Sequence, residues 1–402
     1  MGSSGPVLIA GGGIGGVAAA VALRQVGIEA HVFERAERLG GIQVGGCYVL
    51  WYPGVLSLDV VGRAGAARAV GHDVERFELC DSDGAVIVGQ DVGDRGREVG
   101  AVPLAIRRAD LHRVLTDVLD DDAMHLGARL IHAEQDSEGV TAYFADGRSE
   151  RGDVLVGADG INSALRAQLH GQAEPIHPGY AHWSGIAKDV DSFPRGVFRV
   201  LHGEGARFAF FHLPDNAVCW WVVRNAPAGP EGDSLGALET LKRDFARWTA
   251  PVGELLEATD PKSVHRRDTL DRPPLSTWGQ GRFTLIGDAA HAMTFNLGQG
   301  AGTALTDAVT LPSYLTRGGD VVAALRDFET ARSAVTTPLV RRSRWIGWMA
   351  SWDWPGGPRM NASVMRLGRK TMPGLFALDL QGHPGLDGQS VSAQVQPTGG
   401  AE

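Results

Sequence analysis

The stretch V-L-I-A-G-G-G-I-G-G, residues 7–16, decides the fold. Its four apolar residues are typical of a buried strand, and the glycines after them are typical of a tight turn. An alanine- and valine-rich segment then runs to about Val26, and a second apolar run, Ala30 to Phe33, leads to Glu34. Strand, turn, helix and strand in this order predict the β-α-β unit of a dinucleotide-binding domain.

The glycine turn also predicts what this unit binds. Gly11, Gly13 and Gly16 satisfy G-x-G-x-x-G: the first permits the turn, the second lets backbone approach a pyrophosphate, and the third lets helix and strand pack closely. The phosphates then meet the N-terminus of the helix, where free N–H groups favour negative charge. Glu34 is placed to accept hydrogen bonds from ribose hydroxyls, which favours FAD or NAD over NADP. We assign three further residues to this site: Ile14, Gly15 and Arg35.

Length, net charge and cysteine spacing limit the classes of function that the chain can have. A chain of 402 residues is long enough for two or more domains, and a net charge of -9 disfavours nucleic acid as a partner. Three widely spaced cysteines support neither a disulfide framework nor a zinc motif, so we expect a cytoplasmic protein. Glycines crowd the uncharged stretch 7–23, and we therefore expect no membrane insertion.

Two distant segments point to FAD in particular. Residues 153–166 read D-V-L-V-G-A-D-G-I-N-S-A-L-R, and residues 282–300 read R-F-T-L-I-G-D-A-A-H-A-M-T-F-N-L-G-Q-G. Together with the glycine turn, they make the sequence resemble the class A flavoprotein monooxygenases, the aromatic hydroxylase family typified by para-hydroxybenzoate hydroxylase. The resemblance covers roughly residues 7–345, with its three motifs in the family's order.

The resemblance implies a role for each motif. Asp288, with Gly287, would accept hydrogen bonds from the ribityl chain of FAD. Asp159 and Gly160 would serve FAD and the nicotinamide pyrophosphate, and Arg108 would meet the FAD phosphates. The loop that passes the isoalloxazine ring would comprise Leu297, Gly298, Gln299 and Gly300.

Two positions depart from the family's pattern. Phe295 stands where the family usually has Pro beside the flavin, so the oxygen-reacting space is expected to be narrowed or reshaped. Thr306 stands where the family commonly has Glu, although Asp307 after it remains. His291 lies in a family motif in which histidine is more often structural than catalytic, and we assign it no role as a base.

The expected fold class is α/β, a Rossmann-like FAD-binding domain with an inserted antiparallel β-sheet substrate domain and a helical C-terminal segment. Aromatic and β-branched runs between Gly, Pro and Asp turns predict the inserted sheet. Tryptophans after Arg341 are expected to pack over a cleft. The predicted division is an FAD-binding domain of residues 1–72, 100–173 and 269–340, a middle domain of 73–99 and 174–268, a helical segment 341–381 and a disordered tail 382–402.

The substrate cleft is expected between the FAD domain and the middle sheet. Alternate residues of a strand face opposite sides, so roughly half of the wall candidates must point elsewhere. Neither a catalytic acid or base nor a metal ligand is assigned. The candidates for the wall are His182, Trp183, Phe210, His212, Trp220, Trp221 and Phe295.

Three functions compete at this point. The first is an FAD-dependent monooxygenase that consumes NADH or NADPH and O₂ and hydroxylates or epoxidises an aromatic, polycyclic or polyketide-like molecule, in bacterial secondary metabolism or aromatic catabolism, as a monomer or homodimer. The second is an oxidase, dehydrogenase or cyclase on the same scaffold, with oxygen chemistry altered at Phe295. The third is a binding protein that uses FAD or NAD only as a structural ligand.

Overall fold

The computed structural model describes residues 5–42, 46–229, 234–354, 356, 357, 360, 362–364 and 367. The predicted tail 382–402 lies outside the described residues. The strands are β1 Val7–Ala10, β2 Ala30–Phe33, β3 Cys47–Leu50, β4 His72–Asp73, β5 Arg76–Asp81, β6 Val86–Asp91, β7 Leu104–Arg107, β8 Met124–His125, β9 Leu130–Gln135, β10 Val140–Phe144, β11 Ser149–Gly152, β12 Val154–Gly157, β13 Tyr180–Lys188, β14 Val197–Gly203, β15 Ala206–His212, β16 Ala217–Asn225, β17 His265–Asp268 and β18 Phe283–Leu285. The helices are α1 Ile14–Gln25, α2 Leu39–Ile42, α3 Tyr52–Val60, α4 Ala64–Ala69, α5 Val92–Glu98, α6 Arg108–Thr116, α7 Ala164–His170, α8 Ser234–Asp244, α9 Val252–Glu257, α10 Asp288–His291, α11 Gly300–Leu315 and α12 Val321–Ala350.

The predicted β-α-β unit is confirmed and opens a five-stranded parallel sheet. Its strand order is β18-β12-β1-β2-β8, with every pair parallel. All four residues of β1 are buried, as expected for a central strand of a parallel sheet covered on both faces. Helix α1 is buried from Gly16 to Leu23, because it packs against α11 as well as against the sheet.

The inserted sheet has seven strands in the order β17-β13-β16-β15-β14-β5-β6. Its pairs are antiparallel, as predicted, except β14 with β5, which is parallel. The exception arises because β5 and β6 come from a hairpin far earlier in the chain and add to the edge of β14. One face of the sheet packs on α8 and α9, and the other faces the parallel sheet.

Helix α12 closes the molecule. It begins at Val321 and is capped by Asp320, whose carboxylate accepts hydrogen bonds from the backbone N–H groups of Val322 and Ala323. The helix runs without a break through residue 341, where a boundary was expected, and the domain division stays a prediction. Within the described residues, the helices lack the combined length and apolar character that crossing a bilayer requires.

The tryptophans near the end of α12 have different environments. Trp345 lines the central cavity described below, in agreement with packing over a cleft. Trp348 and Trp354 instead expose 58% and 44% of their surface. The expectation therefore holds for Trp345 and is wrong for Trp348, on a solvent-facing side of α12, and for Trp354, which follows the end of that helix at Ala350.

A buried carboxylate joins the parallel sheet to α11 and α12. Asp307, on α11, is fully buried and accepts hydrogen bonds from the backbone N–H of Gly287 at 2.9 Å, from His291 Nε2 at 2.6 Å and from Arg332 Nε at 2.7 Å. Burial alone would raise the pKa of Asp307, but the neighbouring His291 and Arg332 and the hydrogen bonds lower it to about 2. His291 is thus tied into the structure, as its expected structural role requires.

Replacing this carboxylate is expected to destabilise the fold. In Asp307→Asn the charges facing position 307 lose their partner, and removing one member of a buried ion pair costs roughly 3–5 kcal/mol. We expect a fall of that size in the free energy of unfolding measured with urea. Asp327→Asn, at an exposed position on α12, is the matched control and should change it by less than about 0.5 kcal/mol.

The same carboxylate makes stability depend on pH with a known sign. Because the pKa of Asp307 is lower in the folded than in the unfolded chain, its contribution is complete above the ordinary value and is lost as pH falls from about 4 towards about 2. The acid-induced loss of stability in this range should be smaller in Asp307→Asn than in the unchanged protein. Equal acid profiles for the two proteins would contradict this account.

Candidate active site

A cavity of about 640 Å³ lies between the parallel sheet and the seven-stranded sheet. It opens at the carboxyl ends of β1, β12 and β18, where ligands bind in open α/β sheets. Each of these strands contributes the residues that follow it: Gly13 to Gly15 after β1, Gly160 after β12, and Gly287 with Asp288 after β18. The three sequence motifs therefore meet at one edge of one sheet.

The glycine turn has the geometry that a pyrophosphate site needs. Gly11 has a φ of +110°, a conformation that favours glycine, and a Cβ on Gly16 would lie 2.0 Å from the Gly11 carbonyl oxygen. A Cβ on Gly13 would meet nothing within 4 Å, so the backbone here borders open space at the N-terminus of α1. A phosphate can approach this backbone closely, which fits FAD.

The Glu34 carboxylate braces this turn from the end of β2. It accepts hydrogen bonds from the backbone N–H groups of Gly12 at 2.7 Å and Ala36 at 2.9 Å. Each oxygen keeps a further acceptor position, so the carboxylate remains able to bind a hydroxyl. Neither Glu34, which is buried, nor Arg35, which is exposed and was assigned to the same site, lines the cavity itself.

The other two motifs place one carboxylate in the cavity and one behind it. Asp288 is the first residue of α10 and lines the cavity; burial raises the pKa of its carboxyl, against the effect of His291 and Arg108. Asp159 lies behind Gly160, and its Oδ2 accepts a hydrogen bond from Ala164 N at 2.7 Å. Its Oδ1 is buried without a hydrogen-bond partner in the structure, so this motif also has an unused acceptor.

Residues 295–300 form the rim between the two sheets. A 3₁₀ turn, Phe295–Leu297, ends at Gly298, whose φ of +62° favours glycine, and α11 begins at Gly300. Of the predicted loop residues, Leu297, Gly298 and Gly300 line the cavity, whereas Gln299 is buried away from it.

Only some of the residues predicted to line the cavity do so, because side chains along a strand alternate between its two faces. Of the candidates on β13 and β16, His182 and Trp221 line the cavity. Neighbouring residues on a strand point to opposite faces, so the side chains of the other strand candidates lie on the face of the sheet away from the cavity. The prediction is therefore wrong for four residues: Trp183, Phe210, His212 and Trp220.

Three of these four residues make packing or hydrogen-bond contacts on the face of the sheet away from the cavity. Trp220 is fully buried and donates a hydrogen bond from Nε1 to Thr259 Oγ1 at 2.8 Å. The ring of His212 stacks on Phe193 at 4.0 Å between centroids. The guanidinium groups of Arg224 and Arg266 lie 5.8 Å and 5.6 Å from the centre of the Trp183 ring. These contacts show that the three side chains serve packing and do not line the cavity.

Arg207 is the most informative wall residue that the sequence reading missed. It is 4% exposed, its guanidinium lies 5.8 Å from the centre of the Tyr180 ring, and its Nε has no hydrogen-bond partner in the structure. Burial lowers the pKa of Arg207 to about 10. A charged residue within the apolar run A-R-F-A-F-F was the available signal, because β15 puts Arg207 and Phe211 on the cavity face.

Further wall residues also went unpredicted. Tyr48 on β3 lines the cavity, and burial raises the pKa of its hydroxyl against the opposing effect of Arg108. Trp51, Arg267, Arg342 and Trp345 come from segments without a motif. In the part of the chain that is described, no group of three or more His, Cys, Asp or Glu side chains could hold a metal ion.

Comparison with known proteins places these features in context. The FAD binding domain family matches residues 4–343. The chain is 36% identical to the aurachin C monooxygenase/isomerase of Stigmatella aurantiaca, over 86% of this chain and 90% of that protein. It is 32% identical to an FAD-dependent urate hydroxylase of Klebsiella pneumoniae, over 84% and 88%. The structure of Klebsiella pneumoniae HpxO with FAD and uric acid superposes with a TM-score of 0.85 at 30% identity, over 94% and 97% of the two chains.

The glycine turn allows a matched pair of substitutions. Gly16→Ala should cost roughly 1–3 kcal/mol of stability, because its Cβ would overlap the Gly11 carbonyl. Gly13→Ala should change stability by less than about 1 kcal/mol, since its φ of -70° suits alanine, yet should weaken FAD binding by filling the open space. Urea unfolding of the apoprotein and FAD titration measure the two effects. Equal behaviour of the two variants in both assays would refute the assignment.

Proposed function

The chain belongs to the FAD-dependent monooxygenases of the aromatic hydroxylase family, and on that premise we propose that its cavity holds FAD against the parallel sheet and an aromatic or polycyclic small molecule against the seven-stranded sheet. The observation that carries the proposal is the shared cavity: one wall is made by the three cofactor motifs and the opposite wall by an aromatic sheet. The electron donor is NADH or NADPH, and the co-substrate is O₂.

The residues that would hold FAD follow from the geometry of the parallel sheet. The backbone from Gly13 to Gly15 would take the pyrophosphate at the N-terminus of α1, and Glu34 would take ribose hydroxyls. Asp288 would accept hydrogen bonds from the ribityl chain, and Arg108 would contribute positive charge to the phosphates. The loop from Leu297 to Gly300 would border the isoalloxazine ring.

When bound, FAD supplies the electron transfer and the activation of O₂, which amino-acid side chains do not provide. The protein's part is to orient the substrate and to keep water out. Phe77, Phe198, Phe211 and Trp221 give the opposite wall a dry aromatic surface suited to a flat ring system. The buried Arg207 adds a positive charge that favours an electron-rich or anionic group on the substrate.

The relatives support this substrate class without identifying one compound. Their names specify aurachin C and urate, and both proteins match most of this chain. We further propose that the protein acts in the cytoplasm, since Cys47, Cys80 and Cys219 are all free thiols. A monomer or a homodimer remains the proposed assembly.

The proposed activity has a stoichiometric test. The FAD-loaded protein should be reduced by NADH or NADPH without O₂, and with a suitable aromatic compound it should then consume O₂ in step with the nicotinamide. Mass spectrometry should find oxygen from labelled O₂ in the product. Recovery of all consumed O₂ as hydrogen peroxide with every aromatic compound tested would instead identify an oxidase.

The role of Asp288 can be tested apart from turnover. A hydrogen bond to a charged group is worth about 1.5–3 kcal/mol, so Asp288→Ala should weaken FAD binding by roughly tenfold to a hundredfold. Titration of the apoprotein with FAD, followed by flavin fluorescence, measures the dissociation constant. Asp327→Ala, at an exposed position on α12, is the control. If both variants bind FAD equally well, Asp288 has no part in the site.

A further inference from the structure

Two of the three cysteines meet on the wall of the cavity, although they are far apart in the sequence. Cys47 is on β3 and Cys219 is on β16, and both line the cavity. Cys219 belongs to a core of buried residues against which Cys47 packs. A hydrogen bond with the Cys47 thiol, followed by burial, raises the pKa of Cys219 well above its ordinary value. The two thiols are therefore direct neighbours.

Two further contacts join the segments that carry these thiols. Arg107 pairs with Cys47 in the ladder between β7 and β3, and its Nη2 donates a hydrogen bond at 3.4 Å to the carbonyl oxygen of Pro214, shortly before β16. The ring of His72 on β4 stacks on that of His212 at the end of β15, with 6.0 Å between their centroids. The three-stranded sheet β3-β7-β4 thus packs on the β15–β16 hairpin where the thiols meet.

The two thiols differ in their access to a small reactant. Cys47 is half-buried at the cavity surface, whereas Cys219 is only 2% exposed. The thiolate is the form of cysteine that attacks an oxidant, and the raised pKa keeps Cys219 protonated, as a hydrogen-bond donor to Cys47. A reactant in the cavity therefore meets Cys47 first, with Cys219 directly behind it.

We propose that Cys47 and Cys219 form a reversible disulfide when hydrogen peroxide is present in the cavity, with Cys47 oxidised first and Cys219 completing the bond. Hydrogen peroxide forms when two electrons reduce O₂ without oxygenating a substrate. Only this source of the oxidant rests on the proposed function, and the modification itself goes beyond that function. The bond would join β3 to β16 and so link the two walls of the cavity covalently.

The reaction balances with hydrogen peroxide as the oxidant. The sulfur of Cys47 attacks one peroxide oxygen, the O–O bond breaks, and the other oxygen leaves as water with the thiol proton. Cys47 then carries a hydroxyl group as a sulfenic acid, which the sulfur of Cys219 displaces as a second water. The two thiols lose two electrons in total, and the peroxide gains them. Cytoplasmic thiols reverse the change by thiol–disulfide exchange.

Peptide mapping of the FAD-loaded protein after treatment with hydrogen peroxide tests the inference. The three free thiols of each chain should fall to one when they are titrated after denaturation without reductant. Mass spectrometry should find the peptide with Cys47 joined to the peptide with Cys219, lighter by two hydrogen atoms than their sum. Dithiothreitol should restore all three thiols, because a disulfide is reducible whereas sulfinic and sulfonic acids are not.

Two variants separate the roles of the cysteines. Cys219→Ser removes the thiol that completes the bond, so peroxide should oxidise Cys47 to a sulfinic acid that dithiothreitol does not reverse. Cys80→Ser is the matched control, because Cys80 is buried on the face of the sheet away from the cavity, and burial raises its pKa to about 11. This control should form the same link as the unchanged protein.

Three outcomes would overturn the inference. The first is a peroxide-treated protein without a link between Cys47 and Cys219, and the second is a link that includes Cys80. The third is a Cys219→Ser protein whose Cys47 stays fully recoverable by dithiothreitol. The first two outcomes are read on the unchanged chain, so they do not depend on the folding of any variant.

Failure of this inference is distinguishable from failure of the proposed function. The peroxide is added directly, so the link forms without a nicotinamide or an aromatic compound. A protein that is reduced by NADH or NADPH, yet keeps its three thiols in peroxide, retains the proposed function and loses the inference. A protein that forms the link but is reduced by neither nicotinamide gives the reverse result.

Discussion

The buried carboxylate of Asp307 is the interaction on which the rest of the structure depends. It binds the turn after β18 through the Gly287 backbone, α10 through His291 and α12 through Arg332. A charge with no access to water is tolerated only when its partners surround it, so these segments can hardly move independently. The turn that carries Asp288 and the helix that carries Trp345 are therefore held in a set relation, and both line the cavity.

The hydrogen bonds of Asp307 hold together a site that a parallel sheet and a mostly antiparallel sheet share. The parallel sheet brings three loops to its carboxyl edge, as its topology dictates. The seven-stranded sheet presents a face instead of an edge, with side chains at every second position along β13, β15 and β16. Backbone groups and acidic side chains thus surround the proposed cofactor space, and aromatic rings with a few cations surround the proposed substrate space. The ring of Phe295, which contacts the rings of His182 and Trp221, lies between them.

The sequence predicts the parallel half of the molecule well because its signals are local. The bounds of β1 and β2 agree with the apolar runs at Val7 to Ala10 and Ala30 to Phe33, and the glycine spacing located the turn between them. The seven-stranded sheet was harder to predict. Period-two alternation separates Phe210 from Phe211, but it does not say which face meets the cavity, since both faces are covered by other elements. Arg207 was missed for the same reason, and the parallel pairing of β14 with β5 depends on contacts remote in sequence.

The walls of the cavity come from widely separated parts of the chain: Gly13 lies near the start, Arg207 in the middle and Met349 close to the end of α12. During synthesis, the glycine turn therefore leaves the ribosome long before the residues that will enclose a ligand beside it. Contacts between residues so far apart in sequence form slowly, because closing the chain between them costs entropy. A nascent chain that stops short of α12 lacks Trp345 and Met349 on the cavity wall, so the cavity is complete only after the last helix has been added.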